Sequence, residues 1–137
     1  MNYYAVIDTN VLVSAMLRWN SIPGKIMEEA FVGEIVPVLN EEVLKEYMDV
    51  LERPKFKFDK ESIEAVIKGI LKRGIFVNPE KLEEELSDSK DKVFYEIVME
   101  KRKWDDAYLI TGNIKHFPDK SFIVTPREMI EIMEQDK

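Results

Sequence analysis

Three acids and an amide stand where they could do chemistry together. Asp8 ends the apolar run Tyr3 to Ile7. Glu46 lies on a segment with helical periodicity, Asp91 opens another, and Asn113 follows the run Ala107 to Ile110. Gathered in one crevice, such carboxylates repel and take up protons unless positive charge compensates them. A hard divalent cation supplies that charge, and oxygen-only ligands with retained water suit Mg²⁺ or Mn²⁺. Such an ion orients a phosphodiester and turns bound water into a nucleophile. Zero cysteines exclude a thiol nucleophile and cysteine-ligated zinc, and the single histidine, His116, excludes a multi-histidine metal site.

Each residue also has a plainer reading. Asp8 could be a helix-start acid, held by free backbone amides and the helix dipole. On the helix over 41–52 the apolar residues are Val43, Leu44, Tyr47, Val50 and Leu51. At 100° per residue, Glu46 lies roughly 100° from their centre, nearer the core than Glu41, Glu42, Asp49 or Glu52. It could be a crevice ligand or an ordinary boundary glutamate. Asp88 and Asp91 have the spacing of an N-cap and its third-position acid, which would explain both without metal. Thr111-Gly112-Asn113 offers a hydroxyl beside the acids, or simply a Gly-Asn turn.

The elements that must position these residues alternate between strands and helices. Short apolar runs at 3–7, 35–39, 75–77, 107–110 and 122–124 read as buried strands. Asn10 could cap a short helix, and Pro23 fits the first turn of a second one that ends near Val32 with Gly33 as its stop. Asn40 looks like the cap of the helix over 41–52. Further helices are expected over 60–73, 80–86, 89–103 and from Pro126 onward. This alternation predicts an α/β fold with a parallel sheet covered on both faces. Ligands in such sheets bind at the carboxyl ends of the strands, where strand order reverses. The 137 residues fit one domain, with 45% apolar types to fill its core.

Charge and targeting signals bound the partners. The net charge is −7, which argues against tight non-specific coating of nucleic acid. Charge is uneven, however. Residues 81–91 hold five acids against two bases, whereas 53–60 carry four bases against one acid. Arg53, Lys55, Lys57 and Lys115 could follow a phosphate backbone, with Phe56 or Phe58 stacking on a base. They could equally be solvated charge around inward-facing rings. Residues 101–103, Lys-Arg-Lys, form a second basic segment, while Trp19 and Trp104 read as core or interface residues. No apolar run approaches membrane-spanning length, and Asp8 and Asn10 interrupt the N-terminal one, so neither a membrane span nor a signal peptide is expected.

Four blocks carry a family resemblance. They are Val-Ile-Asp-Thr-Asn-Val-Leu-Val-Ser-Ala at 6–15, Glu46 with Val-Leu-Glu-Arg-Pro-Lys-Phe at 50–56, Asp-Ser-Lys-Asp-Lys-Val-Phe at 88–94, and Tyr-Leu-Ile-Thr-Gly-Asn-Ile-Lys-His-Phe-Pro at 108–118. In this order and spacing the chain resembles the PIN domain, the fold of VapC-type ribonuclease toxins. The resemblance covers nearly the whole chain. It implies a three-layer α/β/α fold with strand order 3-2-1-4-5, as one nuclease domain over 1–137. It implies a cytoplasmic, Mg²⁺- or Mn²⁺-dependent endoribonuclease with Asp8, Glu46 and Asp91 as metal acids. Asp88 is a neighbouring acid, and Asn10 and Thr111 match supporting positions. The fourth position, often aspartate in the family, is Asn113. It is uncharged and would act through its amide oxygen. The resemblance further implies an RNA substrate, a small antitoxin protein and a possible homodimer. The alternative is a weak or inactive module that binds RNA or a protein partner. A phosphotransferase of the Asp-x-Asp type is disfavoured because position 10 is Asn.

Overall fold

A computed structural model describes residues 2–86 and 88–137. Its centre is β1 (Tyr3–Ile7), whose residues are almost wholly buried. Parallel strands flank it on both sides, β2 (Ile35–Leu39) and β4 (Ala107–Ile110). The register pairs Tyr3 with Ile35 on one side and Ile7 with Ile110 on the other. Two-residue strands complete the sheet, β3 (Ile75–Phe76) beside β2 and β5 (Ile123–Val124) beside β4. The order is 3-2-1-4-5, the one the resemblance implies. Burial on both faces explains why β1, β2 and β4 are apolar without alternation.

Six helices flank the sheet in a three-layer α/β/α arrangement. They are α1 (Thr9–Leu17), α2 (Ile22–Val32), α3 (Glu41–Leu51), α4 (Lys60–Arg73), α5 (Lys92–Lys101) and α6 (Pro126–Gln135). Local chemistry sets their ends. Ser21 accepts from the Gly24 amide and Pro23 sits in the first turn of α2. Gly33 ends that helix at φ 91°, a left-handed conformation that glycine takes without strain. Asn40 accepts from the Val43 amide at 2.8 Å and starts α3. Thr125 and Glu128 form a reciprocal capping box on α6. Inward-facing positions are as periodicity predicts: Ile63, Val66, Ile67 and Ile70 on α4, and Met129, Ile130 and Met133 on α6. Leu71 is the exception on α4, 40% exposed.

Four expectations are corrected. Asn10 is not a cap. Helix α1 begins at Thr9, and Asn10 lies in its first turn with its amide turned to other work. No helix forms over 80–86, where the chain runs irregularly along α5. Side chains of α5 take its amides instead: Glu96 accepts from Leu82 at 2.7 Å and Glu100 from Glu80 at 3.4 Å. The helix expected over 89–103 is shorter and opens with a 3-10 turn, Ser89–Asp91. Of the core and interface readings of Trp104, the structure removes the first, since the side chain is 78% exposed. Trp19 stacks on Phe31 with ring centroids 5.8 Å apart. Among the described residues no helix is long and apolar enough to cross a membrane.

Candidate functional site

Strand pairing carries Asp8 to the carboxyl end of the sheet. Its amide donates to the Ile110 carbonyl at 2.9 Å, extending the β1–β4 ladder by one step. The neighbouring strand ends therefore meet there, β1 running into Asp8 and β4 into Thr111. Thr111 is fully buried and donates its hydroxyl to Asp8 Oδ2 at 2.8 Å. Asn10 Nδ2 donates to the same oxygen at 3.2 Å. Asn10 Oδ1 accepts from the Gly112 amide at 3.0 Å, and Thr111 Oγ1 accepts from the Asn113 amide at 3.0 Å. This net ties two segments about a hundred residues apart in sequence. Asp8 occupies the cap position of α1, yet its side chain caps nothing.

The other acids come from α3 and the start of α5. Glu46 is half-buried and accepts from Thr9 Oγ1 at 2.5 Å. Tyr47, the next residue, is buried and donates its hydroxyl to the Ile7 carbonyl at 2.5 Å. That bond anchors α3 to the end of β1. Asp91 occupies the cap position of α5 without making a cap bond. Its side chain meets His116 Nδ1 at 3.2 Å instead. Asp88 is exposed and accepts from the Lys90 amide at 2.9 Å, so it shapes the turn that delivers Asp91. The capping-box reading of this pair is corrected: Asp88 caps the 3-10 turn, and Asp91 is spent on His116.

The electrostatics follow from burial. Asp8 is pushed up to about 6, first by desolvation and then by the charges of Asp91 and Glu46, with the Thr111 and Thr9 hydrogen bonds opposing the rise. Asp91 is also raised, by burial and by Asp88, while His116 opposes. The buried Tyr47 hydroxyl is raised by desolvation, then by Asp8 and Glu46. The three carboxylates thus feel one another, although no three ionisable ligands close around a single ion among the described residues. The two observations differ in range: charge acts over several ångströms more than a coordination bond. Mg²⁺ needs only one or two direct carboxylates and keeps several waters. Asp8, the one buried carboxylate of the three, offers such a cation an oxygen ligand.

The positions expected to meet RNA fall in two places. Asn113 and Lys115 are exposed on the loop that follows β4, beside Thr111. Arg53, Lys55 and Lys57 are exposed on the loop after α3, and none of their side chains bonds to the acids among the described residues. Phe56 and Phe58 there stack on each other, centroids 5.5 Å apart at 13°, with Lys55 Nζ 5.1 Å from the Phe56 ring. The Lys-Arg-Lys segment is not a free basic patch. Lys101 pairs with Asp105, Arg102 with Asp106, and Lys103 with Glu80 and Glu100.

Two residues that bond to these acids, Thr9 and His116, were not singled out by the sequence for that place. Thr9 was a residue between two others of interest, though a hydroxyl in the first turn beside an acid is a signal for it. His116 entered the sequence analysis only as the single imidazole that excludes a multi-histidine metal site. Its place three residues beyond Asn113, as the only imidazole, was the available hint.

The parallel 3-2-1-4-5 sheet, covered by helices on both faces, ends its central strand on a buried aspartate. The chain belongs to the PIN domain family, which it matches over residues 4–115. Members of that family are generally nucleases, and they usually require divalent metal. The chain is also similar to an uncharacterized protein of Methanocaldococcus jannaschii, at 30% identity over 111 residues. That match covers 79% of this chain and 69% of the relative.

Proposed function

We propose that the chain is a Mg²⁺- or Mn²⁺-dependent endoribonuclease, folded as one nuclease domain over 1–137 and acting as the toxin of a toxin–antitoxin pair in the cytoplasm. One observation carries the activity. Asp8 is buried, tied in place by Thr111 and Asn10, and faced by Asp91 and Glu46, with no cation paired to it among the described residues. A folded chain tolerates such a charge deficit poorly unless a ligand relieves it.

Asp8, Glu46 and Asp91 would hold the cation. When bound, it supplies positive charge for the scissile phosphate and lowers the pKa of a water. The chain's own part is positioning. Thr111 and Asn10 hold Asp8 Oδ2, Thr9 holds Glu46, and His116 holds Asp91. In the reaction a water oxygen bonds to phosphorus and the P–O3′ bond breaks. The attacking water gives up a proton and the departing O3′ takes one up, so the products are a 3′-hydroxyl and a 5′-phosphate. Lys115, Arg53, Lys55 and Lys57 would meet the RNA backbone. A small antitoxin protein would silence the toxin, and a homodimer is compatible with this reading.

The test is cleavage of total RNA with and without Mn²⁺, with the product ends mapped. Wild type should cut only with the metal, and Asp8→Ala should lose activity by about a hundredfold or more while still folding. Cleavage that survives Asp8→Ala would place the chemistry elsewhere. No cleavage together with no calorimetric Mn²⁺ binding would make the fold a binding module.

A further inference from the structure

The end of β1 is gripped on both sides of Asp8 by one helix. On one side Tyr47 of α3 donates its hydroxyl to the Ile7 carbonyl at 2.5 Å. On the other, Thr9 donates to Glu46, the residue before Tyr47 in the same helix, at 2.5 Å. Asp8 is the residue between the two anchors. Consecutive side chains leave an α-helix about 100° apart, so the two bonds hold α3 from different directions. One bond alone would leave the helix free to roll about it. Two fix both its rotation and its height over the end of the strand.

Sheet pairing does not supply this constraint. The β1–β2 register runs from Tyr3 to Ala5, and the Ile7 carbonyl lies two residues beyond it. Helix α3 follows β2 directly, so its place over Asp8 depends on what its own side chains reach. By periodicity Tyr47 belongs to the apolar stripe of α3 with Val43 and Leu51, and all three are buried. A phenylalanine would fill that stripe as well. The hydroxyl is the part that filling does not explain, because it reaches the carbonyl of the residue before Asp8.

We propose that Tyr47 is a positioning residue: its hydroxyl, bonded to the Ile7 carbonyl, holds Glu46 where it and Asp8 can serve one divalent cation. Tyr47 acts through Glu46 and takes no part in the chemistry itself. The inference rests on the metal-dependent reading of the crevice.

The test is calorimetric titration of Mn²⁺ into the folded chain without RNA. Tyr47→Phe keeps the ring and deletes the donor, and circular dichroism should show it folded. Its Mn²⁺ dissociation constant should rise about tenfold or more. Tyr47→4-aminophenylalanine returns a donor to the same ring position and should restore the affinity. Leu51→Val thins the same apolar stripe one turn further along, and should lower the melting temperature without weakening Mn²⁺ binding. In a Glu46→Ala background Tyr47→Phe should weaken binding no further, because the acid it positions is gone. The Mn²⁺ concentration for half-maximal RNA cleavage should follow the dissociation constant. Wild-type affinity in Tyr47→Phe, an equal loss in Leu51→Val, or a further loss in the Glu46→Ala background overturns the proposal and leaves the metal reading standing. A Tyr47→Phe chain that does not fold would assign the hydroxyl to stability and overturn it too. Absence of Mn²⁺ binding by wild type removes both readings. The expected binding pattern without any cleavage would keep the positioning role and remove the nuclease.

Discussion

Helix α5 has acids at both ends, and the two ends treat them differently. Beyond its C-terminal end each acid has a base. Lys103 lies 3.0 Å from Glu100 and 3.2 Å from Glu80, Lys101 lies 2.7 Å from Asp105, and Arg102 lies 3.7 Å from Asp106. These pairs are mostly local and partly exposed, and they hold the helix end and the segment over 80–86 in place. At the N-terminal end Asp91 is repelled by Asp88, Glu46 and Asp8, and among the described residues the His116 imidazole is its one ion-pair partner. The same residue types are neutralised in one region and left in mutual repulsion in the other. Paired acids explain a structure, whereas acids gathered without compensation point to a missing cation.

The largest effect should come from removing the least compensated charge. The folded pKa of Asp8 is about 6, against 3.8 for the free side chain. Between those values the folded chain binds a proton more tightly than the unfolded chain. Stability therefore falls as pH rises through that window, and the loss is complete above about pH 6. The cost is on the order of 3 kcal/mol. Asp8→Asn keeps an acceptor for Thr111 and abolishes the titration. It should be more stable than wild type in denaturant at about pH 7.5 and lose that advantage near pH 4. Mn²⁺ should raise the melting temperature of wild type but not of the variant. A wild type that gains stability relative to Asp8→Asn on going from acid to neutral pH would break the contrast between the two ends of α5.

A smaller effect should separate positioning from charge. Thr9 is buried and donates to Glu46 at 2.5 Å. Thr9→Val keeps the shape and deletes the donor. Groups that orient metal ligands typically carry 10- to 100-fold in activity or metal affinity. RNA cleavage should fall by about tenfold or more with a nearly unchanged melt, and Thr9→Ser should restore it. If the valine variant cuts RNA like wild type, Glu46 does not depend on that bond and its place in the crevice needs another cause.

What could be read from the sequence divides along the same line. The apolar runs of β1, β2 and β4 and the caps at Asn40 and Gly33 are local signals, so the sheet and most helix ends were legible. The strand order came from the resemblance rather than from periodicity. Features settled by distant partners were not legible. The acids and leucines of 80–86 suggest a helix, but the amides of Leu82 and Glu80 are taken by Glu96 and Glu100. Asn10 has a cap residue's chemistry, yet its partners are Asp8 and Gly112. A Cβ on Gly112 would stand 3.3 Å from Asn10 Oδ1, so the glycine is part of the same fit. Asp8 could be placed at a strand end from the sequence. That its carboxylate would be buried beneath Thr111 depends on β4, a hundred residues away.

The smallest expected effect belongs to the paired end of α5. Lys101 is well covered: its side chain is 13% exposed, and Nζ lies 2.7 Å from Asp105 and 4.3 Å from the centre of the Tyr4 ring. Lys101→Met keeps most of the packing and removes both attractions. An ion pair at the surface and a cation over an aromatic ring are each worth up to about 1 kcal/mol. Asp105 is exposed enough to be hydrated once its partner is gone. The variant should therefore lose about 1 kcal/mol in denaturant melts, less at high salt, and cleave RNA at the wild-type rate. A loss of cleavage comparable to that of Thr9→Val would mean that charge at the far end of α5 is transmitted to Asp91. The two acid groups would then be one electrostatic system rather than two.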